Sequence, residues 1–295
     1  MTRQTIVACL AGALVLGGLS AAMAKDKEPA HKVTAQEVAE MLADPSATIT
    51  YLNAAYRGYQ NVGPENDMNQ ELRLNGAGFL KLPDNSSIFY RAYLPLYATE
   101  VVPPYELPTR PGGSGAVVDR LENPFRFDNE GCGDTLLSAY WVPTAGTLIL
   151  GYGAAMMVPT ASEKYYGTEK WSAGPTLVAA KKVPGKYTVG GLLTHVWSFA
   201  GKDSRDGINM TTIQPAGTLF LNKKGTSLTV GSETTFNWDA EDDAWQVPVT
   251  VGLGQILPPI GKQFIGVAVA GSYYIEKPGM VQDWDVRAVV SVVFP

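Results

Sequence analysis

From residue 46 onward the chain runs in short stretches where apolar residues alternate with polar or small ones. Leu228, Val230, Ser232, Thr234, Phe236 and Trp238 oppose Thr229, Gly231, Glu233, Thr235 and Asn237. Trp245, Val247, Val249, Val251 and Leu253 oppose Gln246, Thr250, Gly252 and Gly254, and Ile265, Val267, Val269, Tyr273 and Ile275 oppose Gly266, Ala268, Ala270 and Ser272. A period of two places successive side chains on opposite faces of a β-strand. The pattern predicts twelve strands, at 47–58, 68–82, 86–97, 131–142, 146–158, 169–183, 186–200, 207–222, 225–238, 243–257, 261–275 and 282–294. The first and fifth are ambiguous on both faces. One helix is predicted at 34–43: Thr34 and Glu37 form a capping box, Val38, Met41 and Leu42 a small apolar face, and Asp44-Pro45 a stop.

The connections sort by length. Pro83-Asp84-Asn85, Pro143-Thr144-Ala145, Pro184-Gly185, Asn222-Lys223-Lys224 and Pro258-Pro259-Ile260 are tight and rich in turn formers. The others, at 59–67, 98–130, 159–168, 201–206, 239–242 and 276–281, are mostly longer. Short and long alternate, as in a barrel threaded through an outer membrane, with short periplasmic turns and longer outside loops. A soluble β-sandwich has no reason to sort its loops this way. The expected fold is therefore all-β: a transmembrane antiparallel up-and-down β-barrel of about twelve strands with one short N-terminal helix. An even strand count puts both termini in the periplasm.

All six tryptophans sit at strand ends on the apolar row. Trp171, Trp197, Trp238, Trp245 and Trp284 belong to the long-loop rim and Trp141 to the other, as interfacial girdles would. The start of the chain fits export. Arg3 precedes an apolar run rich in small residues, Ala22-Met23-Ala24 fits a cleavage site, and charge resumes at Lys25-Asp26-Lys27. The expected organisation is a signal peptide at 1–24, a polar leader with a short periplasmic or plug helix at 25–45, and an outer-membrane barrel at 46–295. The helix is expected at the barrel mouth or loose in the periplasm, with a plug inside the pore as the sharper reading.

Cleavage leaves 295 − 24 = 271 residues and 23 − 1 = 22 basic against 28 acidic side chains, a formal charge of −6. That balance argues against nucleic acid as a partner. The expected partners are outer-membrane lipid and lipopolysaccharide, the barrel-assembly machinery and a small-molecule solute.

Several blocks, among them NGAGFLKLPDNSSIFYRAYLPL, GCGDTLLSAYWVPT, LLTHVWSFAG and FNWDAEDDAWQVPVTVGLGQ, resemble a bacterial outer-membrane family labelled meta-pathway of phenol degradation, whose members are often called transporters. The similarity runs from about Asp44 to the end. It implies a barrel and a pathway association, and no catalytic motif. The last strand resembles an outer-membrane assembly signal, with Arg287 at its polar position and Val292 and Phe294 at its apolar ones. Val289 stands where glycine is common, and Pro295 follows the usually terminal Phe. Cys132 occupies a position expected to be plainly apolar.

Charges at mid-depth on the lipid face cost a few kcal/mol each, so Glu71, Arg73, Arg91, Glu233, Asp285 and Arg287 are expected to face the lumen. There they would cross-link the interior, form a constriction that selects solutes, or do both. An enzyme is disfavoured. His31 lies in the leader, and parity places His195 on the outer face beside Trp197, with Ser172 and Ser198 on the opposite one. A nucleophile needs its base within hydrogen-bond reach. Asp239-Ala240-Glu241-Asp242-Asp243 lacks the glycine and distal glutamate of a calcium loop, so no metal or other cofactor is expected. Three readings follow: a passive channel for small solutes, small hydrophobic or aromatic ones by hint; a lipid-acting enzyme; or a closed structural or surface-interaction barrel. A long loop at 98–130 is expected to fold over or into the mouth.

Overall fold

The structure is a computed structural model, and it describes residues 33–44, 47, 49–62, 67–99, 129–143, 146–164, 166–279 and 282–294. The expected signal peptide, the leader to residue 32, most of loop 98–130 and Pro295 lie outside the described residues.

Among the described residues there are one helix and twelve strands. The helix α1 spans Ala35–Ala43. The first three strands are β1 Thr50–Val62, β2 Asp67–Lys81 and β3 Ser87–Thr99. Strand β4 is interrupted, Asn129–Cys132 then Thr135–Val142. Next come β5 Leu148–Val158, β6 Lys170–Val183, β7 Tyr187–Gly201 and β8 Asn209–Phe220. Strand β9 is also interrupted, Thr226–Gly231 then Thr234–Asn237. The last three are β10 Trp245–Ile256, β11 Phe264–Glu276 and β12 Trp284–Phe294. Neighbours in sequence pair antiparallel, and β12 closes on β1 from Thr50↔Phe294 to Gln60↔Trp284. The sheet is thus a closed barrel.

Two expected boundaries need correction. The first strand begins and ends later than 47–58, because Ile49 joins the packing against α1 and the ladder to β2 runs, with one irregularity, to Val62. The alternation pattern does not predict the interruptions in β4 and β9. In β9 the registers on either side place Pro215 of β8 opposite Ser232 and Pro248 of β10 opposite Glu233. Proline carries no N–H and breaks a ladder, so two prolines loosen β9 on both flanks at Glu233.

The two faces sort as the alternation requires. Leu177, Leu193, Val230, Val251, Val269, Val286 and Val290 are exposed on the outside, while their neighbours in sequence point inward. Five tryptophans ring the long-loop end, and Trp141 lies near the short turns, donating Nε1–H to Ser86 Oγ at 2.8 Å. Such an inside-out distribution is stable only in lipid. Val269, 62 % exposed, offers a test: Val269→Arg is expected to lower folding free energy by about 2–4 kcal/mol if mid-strand faces hydrocarbon. Urea midpoints in lipid vesicles measure it, and an unchanged midpoint would contradict a lipid-facing wall.

Helix α1 seats inside the short-turn end. Val38, wholly buried, and Ala39 pack with Ile49, Ile256, Phe264 and Val293. This gives Val293 a role on an otherwise polar inner row. Its capping box forms as expected, with Glu37 N donating to Thr34 Oγ1 at 3.2 Å and Thr34 N to Glu37 Oε2 at 2.7 Å. Two clamps hold it. Lys182 Nζ donates to Asp44 Oδ2 at 2.6 Å, and the Gly185 amide to Glu40 Oε1 at 2.9 Å. At Gly225, φ is +81° and an added Cβ would lie 2.8 Å from the Ala35 carbonyl, so turn and helix seat both require glycine. The helix is docked, not loose.

At the long-loop end, Asp134 sits at the break in β4 and accepts from Thr168 N and Oγ1, both at 2.7 Å, while Tyr166 stacks on Tyr97 with ring centres 5.5 Å apart. Hydrogen bonds from Lys277 Nζ at 2.5 Å and Asn61 Nδ2 at 3.0 Å hold the Asp283 carboxyl below the ordinary carboxylate range. These contacts pin loops to the rim.

Candidate functional site in the barrel lumen

The interior is unevenly filled. On the β3–β6 side, Phe89, Tyr140, Val142, Ile149, Val178 and Ala180 form one apolar cluster. Nearer the long loops, Ala155, Met157, Val196, Ile208 and Met210 form another. On the β10–β11 side, the inward row is small: Gly252, Gly254, Gly266, Ala268 and Ala270.

Between these surfaces lies an ionic layer. Five of the six charges read from the sequence meet there, with a seventh residue, Arg57, at the centre. Its Nη2 is 3.4 Å from Glu233 Oε2, its Nη1 3.9 Å from Glu71 Oε2, and its Nε 3.9 Å from Asp285 Oδ1. Arg57 Nη1 also donates to Tyr59 Oη at 3.0 Å, and the Tyr59 hydroxyl donates to Glu71. Arg73 reaches Glu71 at 2.7 Å and Glu233 at 3.3 Å, with its guanidinium 4.5 Å from the Tyr93 ring centre. Arg287 donates to Asp285 Oδ1 and Ser272 Oγ, both at 2.8 Å, and Tyr274 Oη donates to Asp285 Oδ2 at 2.9 Å.

Register explains the clustering. Arg57 stands directly opposite Arg287 on one neighbour and Glu71 on the other. Two guanidiniums side by side repel, and Asp285 lies between them. Among the described residues three cations face three anions, so their charges balance: 3 − 3 = 0. The signs do not segregate to opposite walls. The β12–β1–β2 wall carries three arginines and two acids, net 3 − 2 = +1, and Glu233 alone faces it from β9. Glu71 and Asp285 are about fully buried, at 1 % and 0 % side-chain exposure, and Glu233 keeps 31 %. Gln214 of β8 steadies Glu233 by donating Nε2–H to Oε1 at 3.1 Å. Because β8–β9 and β1–β2 lie on nearly opposite sides of the ring, the layer forms a bar across the lumen.

Arg91 is not part of this bar. It faces inward at the level of Ala77, toward the short turns, into a cavity bounded by α1. The inward direction of Arg57 is not legible in the sequence, because β1 carries mixed residues on both rows. Its signal was a lone mid-strand cation on the row Tyr51, Asn53, Ala55, Arg57, Tyr59. His195 keeps its girdle position: Nδ1 lies 2.8 Å from Thr211 Oγ1, which also accepts from Trp238 Nε1 at 2.8 Å, and the Trp197 ring centre is 5.3 Å away. Among the described residues no group of three His, Cys, Asp or Glu converges as a metal site would.

No family model matches the chain, and no curated protein matches it. Solved structures do. The COG4313 outer membrane channel from Pseudomonas putida F1 superposes with a TM-score of 0.58 at 16 % identity, covering 85 % of this chain and 98 % of that one. The NanC porin superposes with a TM-score of 0.51 at 9 % identity, over 83 % of this chain and 99 % of that one. At such identities the likeness is one of fold: this chain has the closed β-barrel architecture of outer-membrane proteins.

Proposed function

We propose that this protein is an outer-membrane channel for the passive passage of small solutes, with the Arg57–Glu233 bar as its selective constriction. The observation that carries this reading is a barrel apolar outside and crossed inside by paired charges, with Glu233 the most accessible of them. A fixed array of charges at a narrow point discriminates solutes by charge and shape. The neighbours described as an outer membrane channel and a porin agree with it. In this reading residues 1–24 are a cleaved signal peptide and the short turns face the periplasm. Arg287, Val292 and Phe294 address the chain to the assembly machinery, and the long loops meet lipopolysaccharide.

The aromatic wall of Phe89 and Tyr140 supports small hydrophobic or aromatic solutes, as does the resemblance to the phenol-degradation family. A second reading, a closed structural barrel, is favoured by one fact: the lumen is crossed twice, by the ionic bar and by α1.

Planar-bilayer recording separates the two. The native protein is expected to conduct in discrete steps. Glu233→Gln removes one anion from the bar and is expected to shift ion preference toward anions, and Arg73→Gln toward cations, each by roughly twofold or more in permeability ratio. A native protein that stays silent, and stays silent without residues 25 to 44, would sink the channel reading.

A further inference from the structure

Arg91 faces a cavity that the constriction does not use. The cavity holds about 160 Å³ and is lined by Arg91, Phe89, Tyr140, Tyr51, Ile49 and Met41 among others. It lies between the ionic bar and α1. Arg91 pairs across the strands with Ala77, four residues from Arg73 on β2, so the two cations are separated along the wall by about 13 Å. Asn53 and Asn75, hydrogen-bonded to each other at 2.5 Å, sit on the inner row between the two levels.

Among the described residues Arg91 makes no ion pair and no side-chain hydrogen bond. The end of α1 borders the same cavity, yet the Asp44 carboxylate there is engaged by Lys182 at 2.6 Å. Every other arginine on the inner rows of the described strands is ion-paired. A partly buried guanidinium without an anion is costly, and its planar fork matches a carboxylate. The walls beside it are aromatic and aliphatic. A cavity of about 150 Å³ with such walls is large enough for a benzene ring.

We propose that this chamber is a binding subsite for a small monocarboxylate with a compact apolar body, the carboxylate on Arg91 and the body against Phe89 and Tyr140. The subsite deepens the channel reading, as the station a solute reaches after the bar. Its test is calorimetric titration of the detergent-solubilised full barrel with benzoate, with neutral benzyl alcohol and with acetate. Benzoate is expected to bind at least about tenfold tighter than either. Arg91→Gln is expected to abolish the preference over benzyl alcohol, and Arg91→Lys to retain part of it. Each variant's fold is checked by its heat-dependent gel mobility.

Equal binding of benzoate and benzyl alcohol by the native protein would overturn the proposal. So would a benzoate affinity indifferent to Arg91→Gln, or acetate binding as tightly as benzoate. The two readings fail separately. A conducting barrel without benzoate preference loses the subsite alone, whereas a silent barrel that binds benzoate through Arg91 loses the channel and keeps the subsite.

Discussion

Replacing Arg57 by alanine is expected to destabilise the barrel by about 3–5 kcal/mol, the cost of leaving the buried layer with one uncompensated negative charge. The Arg57 side chain is 5 % exposed and is the one cation near all three acids of the layer. Without it Glu71 and Glu233 keep Arg73, and Asp285 keeps Arg287, but the link across the seam between β12, β1 and β2 is lost. The Arg57→Ala/Asp285→Asn double variant is expected to recover part of the loss, since one buried charge goes with the other. Arg91→Ala, which breaks no ion pair, serves as control and is expected to cost no more than about 0.5 kcal/mol. Urea unfolding in vesicles provides the numbers. A loss below about 1 kcal/mol for Arg57→Ala would show that the neighbouring arginines suffice and that Arg57 is no hub.

The fate of Arg57 shows what alternation along a chain can convey. Where one row is apolar and the other polar or small, as in β9 to β12, the row assignment follows from the pattern, and Glu233, Asp285 and Arg287 are found by parity alone. Strand β1 has tyrosines on both rows, Tyr56 outside and Tyr51 and Tyr59 inside, because an aromatic is at home in a lipid girdle and in an aromatic-lined lumen alike. Its pairing with β2 and β12, which sets Arg57 opposite Glu71 and Arg287, decides which row faces in, and the second of these contacts joins the two ends of the chain. The crossing by Glu233 is long-range for the same reason. Local signals were nonetheless present: Pro215 and Pro248 lie in runs otherwise patterned as strands, and proline in a central strand marks a break. Arg91 shows the converse. Its inward direction was legible, but its isolation was not, because register alone sets which charges share a level of the barrel.

Deleting residues 25 to 44 is expected to raise single-channel conductance severalfold while leaving the barrel folded. The strand ladder that closes the barrel, Thr50↔Phe294 onward, does not involve the helix. A twelve-stranded barrel tilted near 40° with strands 4.8 Å apart measures about 24 Å between opposite backbones, and inward side chains reduce this to roughly 14 Å. A helix with its side chains is about 10–12 Å across, so α1 occupies most of the turn-end mouth. The cost of removal falls on Ile256, Phe264 and Val293, which would meet water, and each buried aliphatic or aromatic contact is worth at most about 1.5–3 kcal/mol. Val38→Asp tests the same point without truncation. Val38 has no exposure, so a carboxylate there has no partner and drives the helix from its seat; Val38→Ala keeps the apolar contact and is expected to leave conductance near native. If the deletion and Val38→Asp both conduct no more than native protein in the same bilayer, α1 does not limit flow and the ionic bar alone sets the width of the path.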